Sequence, residues 1–148
     1  MISSVLVVCI GNVCRSPVAA RLLALNCPEL KVESAGLGAL VDHEIDPDFG
    51  GVATENGVDI SGHKARQFSA ELASAYDLIL VMEKNHIRTI ANMAPQLQGK
   101  TMLFGHWIGP KEISDPYRRS QEFHKAVFDL LQAASTRWSE KLSGKSNG

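Results

Sequence analysis

An α/β fold on a parallel sheet is what this sequence predicts, and three observations predict it. Two apolar runs, Val5-Leu6-Val7-Val8 and Leu78-Ile79-Leu80-Val81-Met82, are unbroken and rich in β-branched residues, as suits strands buried on both faces. Segments with helical spacing alternate with them, the pattern of strand–helix–strand units. The chain has 148 residues, the size of one domain with a real hydrophobic core.

In chain order, Ser4–Ile10 is the first strand. Ser16 as cap with Pro17 at the first helical position predicts a helix to about Asn26, ended by Pro28. Its inner side is expected to carry Val18, Leu22, Leu23 and Leu25. Lys31–Ser34 reads as a short second strand, closed by Ala35-Gly36, and Leu37–Pro47 as loop. A helix over Asp48–Asn56 follows, closed by Gly57. Leu78–Met82 is the third strand, Glu83–Met93 a helix with Ile87 and Ile90 inward, and Thr101–Phe104 a fourth strand. The last helix, Ser120–Leu142, spaces Phe123, Val127, Leu130, Leu131, Ala134 and Trp138 along one side. The domain is expected over 1–142, with a polar, flexible tail at 143–148.

Composition removes several classes. Apolar residues make up 45% and charged residues 21%, which is ordinary for a soluble protein. The net charge is -1, against a protein that grips nucleic acid through phosphates. No apolar run approaches the ~18 residues of a membrane span, and the first ten residues lack the pattern of a secretory signal. Three cysteines make a poor disulfide scaffold, so a reducing cytoplasm is the expected location.

The chemistry is expected where a parallel sheet places it, beyond the carboxyl end of a strand. There the string Cys9-Ile10-Gly11-Asn12-Val13-Cys14-Arg15-Ser16 joins strand to helix. Gly11 and Asn12 can both take φ > 0, which a tight concave loop needs. Such a loop turns backbone N–H groups inward, and the helix N-terminus adds its positive end. The result is a cradle for a tetrahedral dianion, which Arg15 can close with a two-pronged fork. At the base of that positive field Cys9 is expected to ionise below the free value of about 8.5 and to attack phosphorus. Gly99-Lys100-Thr101 and Gly144-Lys145-Ser146 echo a Walker loop, but Ala94 and Ser139 stand where its first Gly is required.

Expelling an alkoxide or phenolate calls for a general acid, and Asp115 in Ser114-Asp115-Pro116-Tyr117 is the best candidate. Together these strings resemble the low-molecular-weight protein tyrosine phosphatases. The motifs are the Cys9–Pro17 loop, Ser34-Ala35-Gly36, His63 in the Ser61–Arg66 segment and Asp115-Pro116-Tyr117. Gly38-Ala39-Leu40 and Phe104-Gly105-His106-Trp107 are similar to the bacterial enzymes associated with exopolysaccharide or capsule tyrosine kinases.

The resemblance implies a four-stranded parallel sheet flanked by helices on both faces. It implies Cys9 as nucleophile, Arg15 as phosphate binder and Asp115 as acid and then base, with a phosphocysteine intermediate. It implies no metal and no other cofactor. Asn12, Ser16, Ser34 and His63 would hold the loop in shape, while Leu40 and Tyr117 would wall the pocket. The expected partner is a phosphotyrosine protein, the tail of a cognate membrane tyrosine kinase, with no nucleic acid and no membrane insertion.

Relatives of this fold with other chemistry fit less well. Arsenate reductases of this type need cysteines well beyond the loop, and none follows Cys27. Protein arginine phosphatases carry Thr where Val13 stands. Cys14 could trap an oxidised Cys9 as a disulfide. Arg118 at the rim could favour acidic sequence beside the phosphotyrosine. His43, His86, His106 and His124 read as surface or packing residues.

Overall fold

The computed structural model describes residues 1–143. In chain order its elements are β1 (Ser4–Cys9), α1 (Arg15–Asn26), β2 (Lys31–Gly36), α2 (Pro47–Glu55), α3 (Ala70–Ser74), β3 (Leu78–Val81), α4 (Lys84–Met93), β4 (Thr101–Leu103) and α5 (Gln121–Ser143). The four strands are parallel and lie in the order β2-β1-β3-β4. Cys9 pairs with Gly36, Val8 with Val81 and Val81 with Leu103. The carboxyl ends are thus aligned, and the loops that follow them open on one edge of the sheet.

β1 has a neighbour on each side and a helical layer on each face, which is why its apolar run is unbroken. Val5, Val7, Leu78 and Leu80 pack into a core formed with α1, α2 and α5. Leu6, Val8, Ile79 and Val81 point the other way, into a second core under α3 and α4. α5 buries Val127, Leu131, Ala134 and Trp138, as its spacing predicts. The Trp138 Nε1–H also donates to the Phe104 carbonyl at 2.8 Å, tying the helix to the end of β4.

Four expectations need correction. α1 begins at Arg15, with Cys14 in the cap position and no side-chain cap. Ser16 is therefore already helical, because its hydroxyl serves the loop instead of the helix end. Pro17 is tolerated at the third helical position since the first N–H groups of a helix lack intrahelical partners. Leu25 is not inward but 63% exposed. The buried stripe of α1 centres between Val18, Ala19, Leu22 and Leu23, and at about 100° per residue Leu25 falls well off that centre. α3 is not among the predicted elements; it is a short helix whose cap is the Ser69 hydroxyl, accepting from the Leu72 N–H at 3.0 Å. Ser143 belongs to α5 rather than to a tail, and 144–148 lie outside the described residues. Among the described residues no helix is long and apolar enough to cross a membrane.

Candidate active site

Between Cys9 and Arg15 the chain makes a tight loop whose carbonyls are all engaged. The Cys9 oxygen accepts from the Leu37 N–H, Ile10 from Gly38, Gly11 from Leu40, Val13 from Asp46 and Cys14 from Val18. The Asn12 oxygen accepts from the His63 Nε2–H at 2.7 Å. Among the described residues, the N–H groups of Gly11, Asn12, Val13 and Cys14 meet no protein acceptor. With its carbonyls drawn outward and its amides left over, the loop is a nest for an anion.

Asn12 makes the turn. It has φ 59° and is fully buried. Its Nδ2 donates to Ser16 Oγ at 2.8 Å and to Ser34 Oγ at 3.0 Å, and its Oδ1 accepts from the Arg66 N–H at 2.9 Å. The expected loop supports Asn12, Ser16, Ser34 and His63 are thus joined in one network. Gly11 does not share the positive φ expected for it, because Asn12 alone supplies the left-handed residue. A Cβ on Gly11 would sit 3.5 Å from Val13 Cγ2 and 4.0 Å from Leu40 Cγ, so the glycine widens the cleft here.

His63 has its proton on Nε2, since a carbonyl only accepts. Burial holds its imidazole below the ordinary value of 6.5, although the bond to Asn12 works in the other direction.

Two donors belonging to Ser16 lie near the sulfur of Cys9. Ser16 Oγ is 2.9 Å from Sγ, and the Ser16 N–H points to Sγ at 3.4 Å. Arg15 is only 2% exposed and is anchored from behind. Its Nη1 donates to Glu83 Oε2 at 2.5 Å and to the Ile113 carbonyl at 2.8 Å. Its Nε is buried and has no partner among the described residues. The guanidinium edge bearing Nε is therefore the one left for a ligand. Cys14 differs from Cys9. Burial chiefly, with the nearby Asp46, Asp115 and Cys9 charges, pushes its thiol far up, so Cys14 stays protonated.

Cys9, Ile10, Gly11, Val13, Cys14 and Arg15 line a cleft of about 200 Å³, with Leu40, Asp115 and Tyr117 across its mouth. Leu40 and Tyr117 are 40% and 37% exposed, as walls of an open slot are. Asp115 Oδ1 accepts from the Tyr117 N–H at 3.0 Å, which bends the loop back on itself. Arg118 lies over the Tyr117 ring, with its guanidinium 5.2 Å from the centroid. A larger cleft of about 370 Å³ opens behind the loop between α1 and His63, but it contains none of the groups gathered around the sulfur.

Several supporting residues are not among the predicted ones. Glu83 follows β3 as Cys9 closes β1, and that position at the ligand edge of the sheet was its only signal. Arg66 braces β2, donating from Nε to the Ser34 carbonyl at 3.0 Å while its own carbonyl accepts from Gly36. Gly36 must lack a side chain, since a Cβ there would lie 2.3 Å from the Ile10 oxygen. Asp46 caps α2 by accepting from the Phe49 N–H at 3.0 Å. His124 is buried and donates to the Pro116 carbonyl at 2.8 Å.

An anion nest after the first strand of a four-stranded parallel sheet, with a cysteine at its base and an arginine at its end, defines the class of cysteine-containing phosphate-loop phosphatases. The family model described as low molecular weight phosphotyrosine protein phosphatase matches residues 4–147, and the chain belongs to that family. It is 52% identical over 145 residues to the low molecular weight protein-tyrosine-phosphatase Wzb of Escherichia coli K12, covering 98% of this chain and 99% of the relative. The crystal structure of Wzb from Escherichia coli K30 in complex with sulphate superposes with a TM-score of 0.94 at 52% identity, over 96% of this chain and 99% of that one. Vibrio vulnificus Wzb in complex with benzylphosphonate gives 0.93 at 43% identity, over 95% and 99%.

Proposed function

We propose that the protein hydrolyses phosphotyrosine in proteins through a phosphocysteine intermediate. The carrying observation is the loop from Gly11 to Cys14, whose amides lack acceptors among the described residues and surround a slot with Cys9 at its floor. A phosphate seated there accepts from those amides and from the free edge of Arg15. Cys9 Sγ, as thiolate, attacks phosphorus as the P–O bond to the tyrosine ring breaks. Asp115, across the mouth of the cleft, gives its proton to the departing phenolate. Asp115 then takes a proton from water, whose oxygen attacks phosphorus. The S–P bond breaks, inorganic phosphate leaves and the thiolate is restored. The Ser16 donors stabilise the sulfur as it leaves.

The depth of Cys9 beneath Leu40 and Tyr117 favours a long aryl phosphate over the shorter phosphoserine. The benzylphosphonate held by the Vibrio vulnificus relative is a ligand of that shape. The physiological substrate we assign is the phosphotyrosine tail of a membrane tyrosine kinase that controls exopolysaccharide or capsule production, with the phosphatase acting in the cytoplasm. Cys9→Ser tests the assignment. The variant should lose turnover of p-nitrophenyl phosphate, keep vanadate binding, and retain the phosphorylated kinase from a detergent extract. Turnover near that of the parent would remove Cys9 as nucleophile. Retention of other phosphoproteins in place of the kinase would refute the substrate.

A further inference from the structure

The Asp115-Pro116-Tyr117 segment belongs to no helix or strand, yet an acid must be placed to within a fraction of an ångström to protonate a leaving group. The bond between Asp115 and Tyr117 is internal to the segment and cannot position it. An anchor to the body of the protein comes from α5. His124 is 2% exposed, and its Nε2–H donates to the Pro116 carbonyl at 2.8 Å. Its Nδ1 is buried without a partner among the described residues. A buried polar ring with half its capacity unused is a poor choice for packing alone, and the bond to Pro116 is what offsets that cost.

The ring also meets Phe49 of α2 edge-on, with centroids 5.8 Å apart. Phe49 donates its N–H to Asp46, whose own N–H holds the Val13 carbonyl of the phosphate loop at 2.9 Å. A continuous path thus runs from the phosphate loop through Asp46, Phe49 and His124 to the residue next to Asp115. We propose that His124 is a positioning residue for the general acid: it latches Pro116 to α5 and so holds the Asp115 carboxyl over the cleft. This rests on Asp115 being the acid.

The test uses kcat/KM for phenyl phosphate and p-nitrophenyl phosphate, because protonation matters most for the poorer leaving group. His124→Phe keeps the ring and removes the donor. It should lower kcat/KM for phenyl phosphate about tenfold and for p-nitrophenyl phosphate less than threefold, with vanadate inhibition unchanged. His124→Gln offers an amide N–H in place of Nε2 and should restore phenyl phosphate to within about threefold of the parent. In an Asp115→Asn background His124→Phe should have no further effect, since the two act as a unit.

Equal losses on both substrates, weakened vanadate inhibition, or no rescue by Gln would overturn the latch. If Asp115→Asn itself fails to steepen the dependence on leaving group, the acid assignment falls, and the latch with it. If it steepens while His124→Phe does not, only the latch falls.

Discussion

The Nε2 of His63 lies 2.7 Å from the carbonyl oxygen of Asn12, a residue 51 positions earlier with φ 59°. That one bond holds the turn of the phosphate loop from outside. It belongs to a set in which the loop's carbonyls are drawn outward to the loop after β2 and the cap of α2, so that the amides stay free. Preorganised donors of this kind cost no reorganisation when charge develops on a ligand.

Asn12→Gly separates conformation from bonding. Glycine accepts the positive φ but leaves Ser16, Ser34 and the Arg66 N–H without their partner. We expect a loss of about 2–3 kcal/mol in urea unfolding and at least a tenfold fall in kcat/KM. Stability and activity equal to the parent would mean the network is dispensable.

Arg15→Lys should lower kcat/KM at least a hundredfold, because an ammonium cannot bond Glu83, Ile113 and a ligand in one plane. Glu83→Gln keeps an acceptor beside Arg15 and removes the charge; a milder loss, on the order of tenfold, is expected. Steady-state kinetics of both variants on p-nitrophenyl phosphate check the order.

Binding of an anion supplies an acceptor for Arg15 Nε and the loop amides. Vanadate at about a hundred times its Kd should stabilise the protein by about 2.7 kcal/mol, read as a rise in Tm. The rise should vanish in Arg15→Ala.

Gly36→Ala drives a methyl group to within 2.3 Å of the Ile10 oxygen, a backbone atom that cannot swing aside. Either β2 or the loop must move. A destabilisation of about 2 kcal/mol or more, with impaired vanadate binding, is expected. Calorimetry and vanadate titration would show it.

Acid should weaken the fold through two histidines. Burial lowers both His63 and His86, with the Arg15 charge adding to the effect on His86. The unfolded chain then takes up protons first as pH falls. Their contribution is complete above the ordinary value of 6.5 and declines on acidification towards the lowered folded values. Urea midpoints between pH 8 and pH 5 should fall below about 6.5. The fall should be shallower in His63→Gln, which keeps the donor to Asn12 and cannot titrate.

The strands and most of the helices were legible because each depends on a local pattern: the buried run of Val5–Val8, the spacing of Val127, Leu131, Ala134 and Trp138. The cleft residues Cys9, Arg15 and Asp115 were legible because the loop carries its own motif and the fold class says where ligands bind. Ser16 was misassigned as a helix cap, since its hydroxyl is committed to Cys9 and Asn12 by the way the loop closes, and spacing cannot express that. Leu25 was misplaced because the centre of a buried stripe depends on which neighbours cover the helix.

The amino-acid order alone determined the sheet, its wrapping of helices and the phosphate loop. Only the tertiary structure decided what holds that loop: Gly36 against Ile10, Glu83 behind Arg15, Arg66 on Asn12 and His124 under Pro116. Each pairs residues 8 to 68 positions apart, and no periodicity along the chain links such partners. They meet because the parallel register brings the carboxyl ends of the strands to one edge and α5 returns alongside them.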